Sequence, residues 1–121
     1  MGKIKLIVRA VVENSRGQVL LLKRSSHDSY PGQWEYPGGK VEYGEAPGSA
    51  VSRELYEETG LNGVALYPVE VVSNLSEDGQ EQRIKILFRG IPIVGEEVVW
   101  LSDEHDDYQW VHKDSLPGSL R

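Results

Sequence analysis

The chain has 121 residues, 39% of them hydrophobic, enough for one modest core and too few for a linker and a second domain. Its 13 Lys and Arg against 19 Asp and Glu give a formal net charge of −6, which repels a nucleic-acid backbone over most of the surface, so a polyanionic ligand has to be met locally. The absence of cysteine removes disulfide frameworks, cysteine zinc fingers and thiol nucleophiles.

From Lys3 to Glu13 apolar and β-branched residues are interspersed with Lys3, Lys5 and Arg9. The run is too broken for a signal peptide, and Leu6 stands where a myristoylation motif requires Ser or Thr, so a cytoplasmic protein with no membrane partner is expected. Asn14 to Gly17 is turn chemistry and Gln18 to Lys23 is a second apolar run, so the two runs read as a hairpin. Lys23 and Arg24 close the second run where a polar loop, Ser25 to Gln33, begins; a basic pair there is either a solvated strand end or an anion contact. His27, within that loop, has no partner at ligand spacing. Trp34 then packs beneath the loop or offers a ring for base stacking. In the Pro37-Gly38-Gly39 turn the glycines permit positive φ or a close approach of backbone to a ligand, and a carbonyl there can serve a hard cation.

A helix is predicted from Ala46 or Pro47 to Thr59, with Pro47 in the first turn and Gly60 just past the end. Ala50, Val51, Leu55 and Thr59 form its inward stripe, and Glu45 is placed to satisfy first-turn N–H groups. Glu54, Glu57 and Glu58 fall within two turns on one face. Like charges at that spacing cost a few tenths of a kcal/mol per pair, and the negative end of the helix dipole adds to it. A divalent cation offsets the repulsion, because hard cations take several carboxylate oxygens. The competing reading is a solvated acidic face with an ordinary Arg53–Glu57 pair; it leaves Gly38, Gly39 and Glu45 unexplained.

Beyond Gly63, Val64 to Ser73 is strand-like and interrupted by Pro68, which suggests an edge or a bulge. After a polar turn, Gln82 to Ile93 alternates and completes another hairpin. Val98 to Leu101 is a short apolar run and Tyr108 to His112 the last strand. Between them, SDEHDD reads as an acidic loop with more negative charge than structure requires. Lys113 to Pro117 suggests the opening of a further helix.

The stretch from Gly39 to Leu61 resembles the Nudix box. Gly39, Glu45, Arg53, Glu54, Leu55, Glu57, Glu58, Gly60 and Leu61 occupy every fixed position of its pattern, and the preceding Trp34-to-Gly39 run is similar to that of many members. The resemblance implies an α/β fold, the Nudix-type α/β/α sandwich with a mixed β-sheet, over residues 1–121 as a single domain, its second helix short or truncated. It implies Mg²⁺ or Mn²⁺ held by Glu54, Glu57, Glu58 and a main-chain oxygen of the turn, taken as Gly39. Glu45 and Arg53 are expected to brace the loop against the helix, which makes Arg53 structural before it is catalytic. Arg24, or Lys23, is expected on a non-bridging phosphate oxygen. Glu104, six residues before Trp110, is expected as metal ligand or base, with Glu97, Asp103 and His105 competing for the role.

The activity implied is hydrolysis of a nucleoside diphosphate linked to another moiety, in which metal ions neutralise the anionic diphosphate and acidify a bound water. Ser76-Glu77 stand where ADP-ribose members tend to carry Pro, and Asp78-Gly79 where diadenosine-polyphosphate members carry Tyr. Elimination leaves a (deoxy)nucleoside triphosphate, cleaved to monophosphate and pyrophosphate, as the leading substrate. The partner is then a small-molecule nucleotide with no nucleic acid, and a homodimer is admitted. Two alternatives stay open: a non-catalytic nucleotide sensor, and an RNA 5′-end pyrophosphohydrolase, against which the acidic balance speaks.

Overall fold

The computed structural model describes residues 2–28, 30–92, 98–117 and 120. In chain order these form β1 (Lys3–Val12), β2 (Gln18–Arg24), β3 (Trp34–Glu35), β4 (Gly38–Lys40), α1 (Pro47–Thr59), β5 (Tyr67–Leu75), β6 (Glu81–Gly90) and β7 (His105–His112). A 3₁₀ turn, Lys113–Ser115, stands where a further helix was expected.

One sheet has the order β4-β1-β6-β5 and is mixed, because β1 runs parallel to β6 and antiparallel to β4. The period-2 pattern of β1 puts Val8, Ala10 and Val12 on one face, all fully buried, and Lys5, Ile7 and Arg9 on the other. Helix α1 covers the first face, where Ala50, Val51 and Leu55 join Val8, Ala10, Val12 and Phe88 in the core. Leu20 and Leu22 reach the same core from a second, antiparallel sheet of order β3-β2-β7. The inward stripe of the helix is as its sequence predicts, with Thr59 fully buried and its hydroxyl donating to the Leu55 carbonyl at 2.6 Å. Gly60 ends it in the left-handed region, φ 76°, its N–H reaching the Tyr56 carbonyl at 2.8 Å.

Three further expectations change. The β1–β2 hairpin does not form: β4 and β6 occupy both edges of β1, and β2 crosses to the other sheet after a single bridge between Glu13 and Val19. The turn itself is real, with the Asn14 carboxamide oxygen accepting from the N–H groups of Arg16 and Gln18, each at 3.0 Å. Glu45 does not cap α1; no side chain caps Ala46, and the Glu45 carboxylate turns to Arg53 instead. In the apolar run from Val98 to Leu101, Val99 is buried and the Trp100 N–H donates to the Thr59 carbonyl at 2.8 Å, which fastens this segment to the end of α1. Finally, the SDEHDD stretch is only half loop, because β7 begins at His105. Asp107 is the register partner of Lys23, and the Asp106 carboxylate accepts the Ser26 N–H at 3.1 Å, which gives part of this acidity a structural use. Pro68 does mark an edge strand with a register shift between Pro68 and Glu70. Glu97 lies outside the described residues.

Candidate active site

The uncovered face of β1 forms the floor of a cleft of about 280 Å³. Five carboxylates line it, Asp28, Glu35, Glu54, Glu58 and Glu104, together with four cations, Lys5, Arg9, Arg24 and Lys40. Positive and negative side chains therefore occupy one small concavity in a chain whose net charge is −6.

The glutamates of α1 share a helix face but not an environment. Glu58 is 3% exposed and accepts the Gly38 N–H at 2.9 Å. Burial is the main reason its pKa is pushed up to about 9, with the negative charges of Glu54 and Glu35 adding to it. Glu54 is raised too, chiefly by burial and then by Glu57 and Glu104, although Arg53 opposes this. Glu57 points away, its side chain 54% exposed and paired with Arg53 at 3.3 Å. Arg53 clamps Glu45 with two hydrogen bonds, 2.7 and 3.0 Å, and holds Glu54 at 2.9 Å. The brace expected between loop and helix is thus present in the geometry, and neither Arg53 nor Glu57 lines the cleft.

The two glycines of the turn serve different ends. Gly38 has φ 156°, and a Cβ there would strike the Val8 carbonyl oxygen of the adjacent strand. At Gly39 a Cβ would sit 2.6 Å from the Glu54 carboxylate carbon, so the missing side chain is the space into which Glu54 fits.

Next to these glutamates in the same cleft lies a cluster that sequence reasoning did not find. Glu35, on β3 and 3% exposed, accepts from Arg24 Nη1 at 2.8 Å and lies 3.5 Å from Arg9 Nη2, both through Oε1. Its Oε2 accepts from His105 Nε2 at 2.8 Å. Burial alone would raise the Glu35 pKa, but the His105 hydrogen bond and the Arg9 and Arg24 charges outweigh it and hold the carboxylate below its ordinary range. Arg24 also pairs with Asp28 at 2.6 Å and packs over the Tyr30 ring, 5.8 Å from its centroid. The sequence did carry a signal: Arg9 interrupts the most apolar part of β1, and Glu35 stands between Trp34 and Tyr36.

Glu58, Glu104 and His105 each offer a ligand atom within 4.8 Å of the others, and the buried His105 Nδ1 has no hydrogen-bond partner among the described residues. Carboxylate oxygens with an adjoining imidazole fit a divalent cation. Of the residues expected from sequence, Gly39, Glu54, Glu58, Glu104 and Arg24 come together in the cleft, whereas Glu57, Arg53, Lys23 and Trp34 do not line it. Trp34 and Lys23 pair across β3 and β2.

Residues 3–121 match the model of the NUDIX domain. Among curated proteins, an RNA pyrophosphohydrolase from Bartonella bacilliformis is 31% identical over 91% of this chain and 78% of its own length. An 8-oxo-dGTP diphosphatase from Haemophilus influenzae is 35% identical over 59% of each. The chain spans between 29% and 59% of the length of the first three curated relatives. Among solved structures, a MutT NUDIX hydrolase from Burkholderia pseudomallei superimposes with a TM-score of 0.82 at 28% identity, covering 98% of this chain and 91% of the other.

Proposed function

The chain belongs to the NUDIX domain family, and from that premise we propose that it hydrolyses the diphosphate linkage of a nucleotide, a (deoxy)nucleoside triphosphate going to the monophosphate and pyrophosphate. The observation that carries the reading is the mixed lining of the cleft, where Glu54, Glu58 and Glu104 share one concavity with Arg9 and Arg24. The carboxylates suit metal ions and the arginines suit phosphate oxygens.

Glu54 and Glu58, joined by Glu57 once it leaves Arg53, would hold Mg²⁺ or Mn²⁺, and Gly39 offers its carbonyl beside them. What such ions supply is neutralisation of the diphosphate and a water of lowered pKa. Arg24 and Arg9 donate N–H groups to non-bridging oxygens and fix the phosphate chain along the floor of the cleft. Glu104, exposed and bordering the cleft, takes the proton of the attacking water at its carboxylate. Arg53 acts at one remove by keeping Glu45 and Glu54 in place.

A panel of nucleotides, assayed for pyrophosphate and for phosphate release with Mg²⁺, Mn²⁺ or EDTA, tests this directly. Metal-dependent pyrophosphate release from a nucleoside triphosphate is expected; tight nucleotide binding with no release under any condition sinks it and favours a sensor. The Bartonella relative, matched over most of this chain, supports a second reading, removal of pyrophosphate from RNA 5′ ends. A 5′-triphosphorylated oligonucleotide in the same panel decides between them, since an RNA enzyme turns it over faster than the free nucleotide and loses that advantage as salt rises.

A further inference from the structure

We infer that Glu35 is a positioning residue, which sets the two phosphate-facing arginines, Arg9 and Arg24, through one shared carboxylate oxygen. The inference rests on the reading of the cleft as a diphosphate site.

The chain brings these side chains together from distant places: Arg9 from the middle of β1, Arg24 from the end of β2, Glu35 from β3 and His105 from the start of β7. Two guanidinium groups within 3.5 Å of a single oxygen repel one another unless that oxygen carries charge. Glu35 supplies it, through the same Oε1 that meets both arginines. His105 occupies Oε2 at 2.8 Å, which fixes the rotation of the carboxylate and leaves Oε1 for the arginines. The geometry is not a generic surface ion pair, for the Glu35 side chain is 4% exposed, that of Arg9 12% and that of Arg24 22%. Among the described residues neither Arg9 Nε nor Arg24 Nε, both buried, has a partner, so the guanidiniums are held by their terminal nitrogens, both on Glu35 and that of Arg24 also on Asp28, while both residues still line the cleft. Arg9 Nη1 also donates to the Tyr36 carbonyl at 3.2 Å, which ties the same strand-to-turn segment to the cluster.

A charge between two arginines has opposing effects on binding and on rate. It weakens the bare attraction for an anion, and it holds the donors where charge develops as the linkage breaks. Glu35→Gln keeps the shape of the side chain and removes the charge. Pyrophosphate is then expected to bind as tightly as to the parent or more tightly, while turnover per binding-competent site falls by about 30-fold or more, within the range of a lost preorganised contact. Calorimetry with inorganic pyrophosphate in millimolar Mg²⁺ gives both the affinity and the number of sites per chain. A merely structural role lowers the number of sites and leaves turnover per site unchanged.

The second measurement is a double-mutant cycle with Arg24→Met. If Glu35 acts through the arginines, Glu35→Gln adds less than about threefold to the loss already caused by Arg24→Met. Multiplicative losses, or a Glu35→Gln turnover per site within about threefold of the parent, overturn the inference. A parent chain that turns over no nucleotide overturns the reading of the cleft itself, and the inference with it.

Discussion

Glu58 reaches from the last turn of α1 to the backbone of Gly38, 20 positions earlier in the chain, and takes its N–H at 2.9 Å. The bond joins the helix to the first residue of β4, and it is made by a carboxyl whose pKa is pushed up to about 9 by burial above all. Without metal, the folded protein thus holds a proton that the unfolded chain releases near the ordinary value of 4.5. The folded state binds more protons over that interval, so metal-free stability falls as pH rises from about 5 towards 9. Melting temperatures in EDTA across this range should decline for the parent and decline less for Glu58→Gln; equal slopes for the two proteins count against the assignment. Glu35 has the opposite sign, since its lowered pKa contributes stability that is lost only as pH falls below about 4.5.

Glu57 differs because it faces solvent. Its pair with Arg53 is an exposed i,i+4 contact, and Arg53 keeps Glu45 and Glu54 when it is lost. Glu57→Gln should therefore move metal-free stability by no more than about 0.5 kcal/mol. Millimolar Mg²⁺ should raise the melting temperature of the parent by mass action and that of Glu57→Gln less, with activity collapsing in the variant. Equal magnesium shifts in both proteins would remove Glu57 from the metal site.

Glu104 lines the cleft beside Glu58 and His105 while its own backbone carbonyl accepts the Ser25 N–H at 3.2 Å. If it is ligand or base, Glu104→Gln should cost at least about 10²-fold in turnover. The measurement is kcat at saturating metal, and a loss within about threefold assigns Glu104 to the rim.

Gly38 and Gly39 should respond differently to the same substitution. Gly38→Ala meets both a strained φ and the Val8 carbonyl, so it should destabilise by several kcal/mol or prevent folding. Gly39→Ala meets only the movable end of Glu54, so it should fold and lose metal affinity as that carboxylate is displaced. Thermal melts together with magnesium titrations separate the two; a folded Gly39→Ala with parental affinity would show that Glu54 has room to move.

The helix and its glutamates were legible because local rules govern them: Pro47 and Gly60 set the ends and the inward stripe sets the face. Sequence spacing also placed Glu54, Glu57 and Glu58 on one side, but it could not say that Gly38 would draw Glu58 inward while Arg53 held Glu57 out. The misread hairpin has a similar cause. Two adjacent apolar runs with a good turn ordinarily pair, and only the long-range partners of β1 forbid it here. Arg9, Glu35 and His105 were illegible as a unit because β3 is two residues long and meets β7 only through β2. The acidity of Asp106 similarly has a use only where the fold brings it to the Ser26 N–H, 80 positions away in the chain.

The parallel pairing of β1 with β6 has a consequence for how the chain acquires its structure. Lys3 waits for Glu81 and Val12 for Gly90, so the central strand of the larger sheet finds a partner nearly eighty positions downstream. Local contacts can build α1 early, but the floor of the cleft exists only after that long loop has closed. During synthesis most of the chain must therefore emerge before Arg9 meets its neighbours, and refolding should be limited by this closure, with helix signal recovering ahead of pyrophosphate binding.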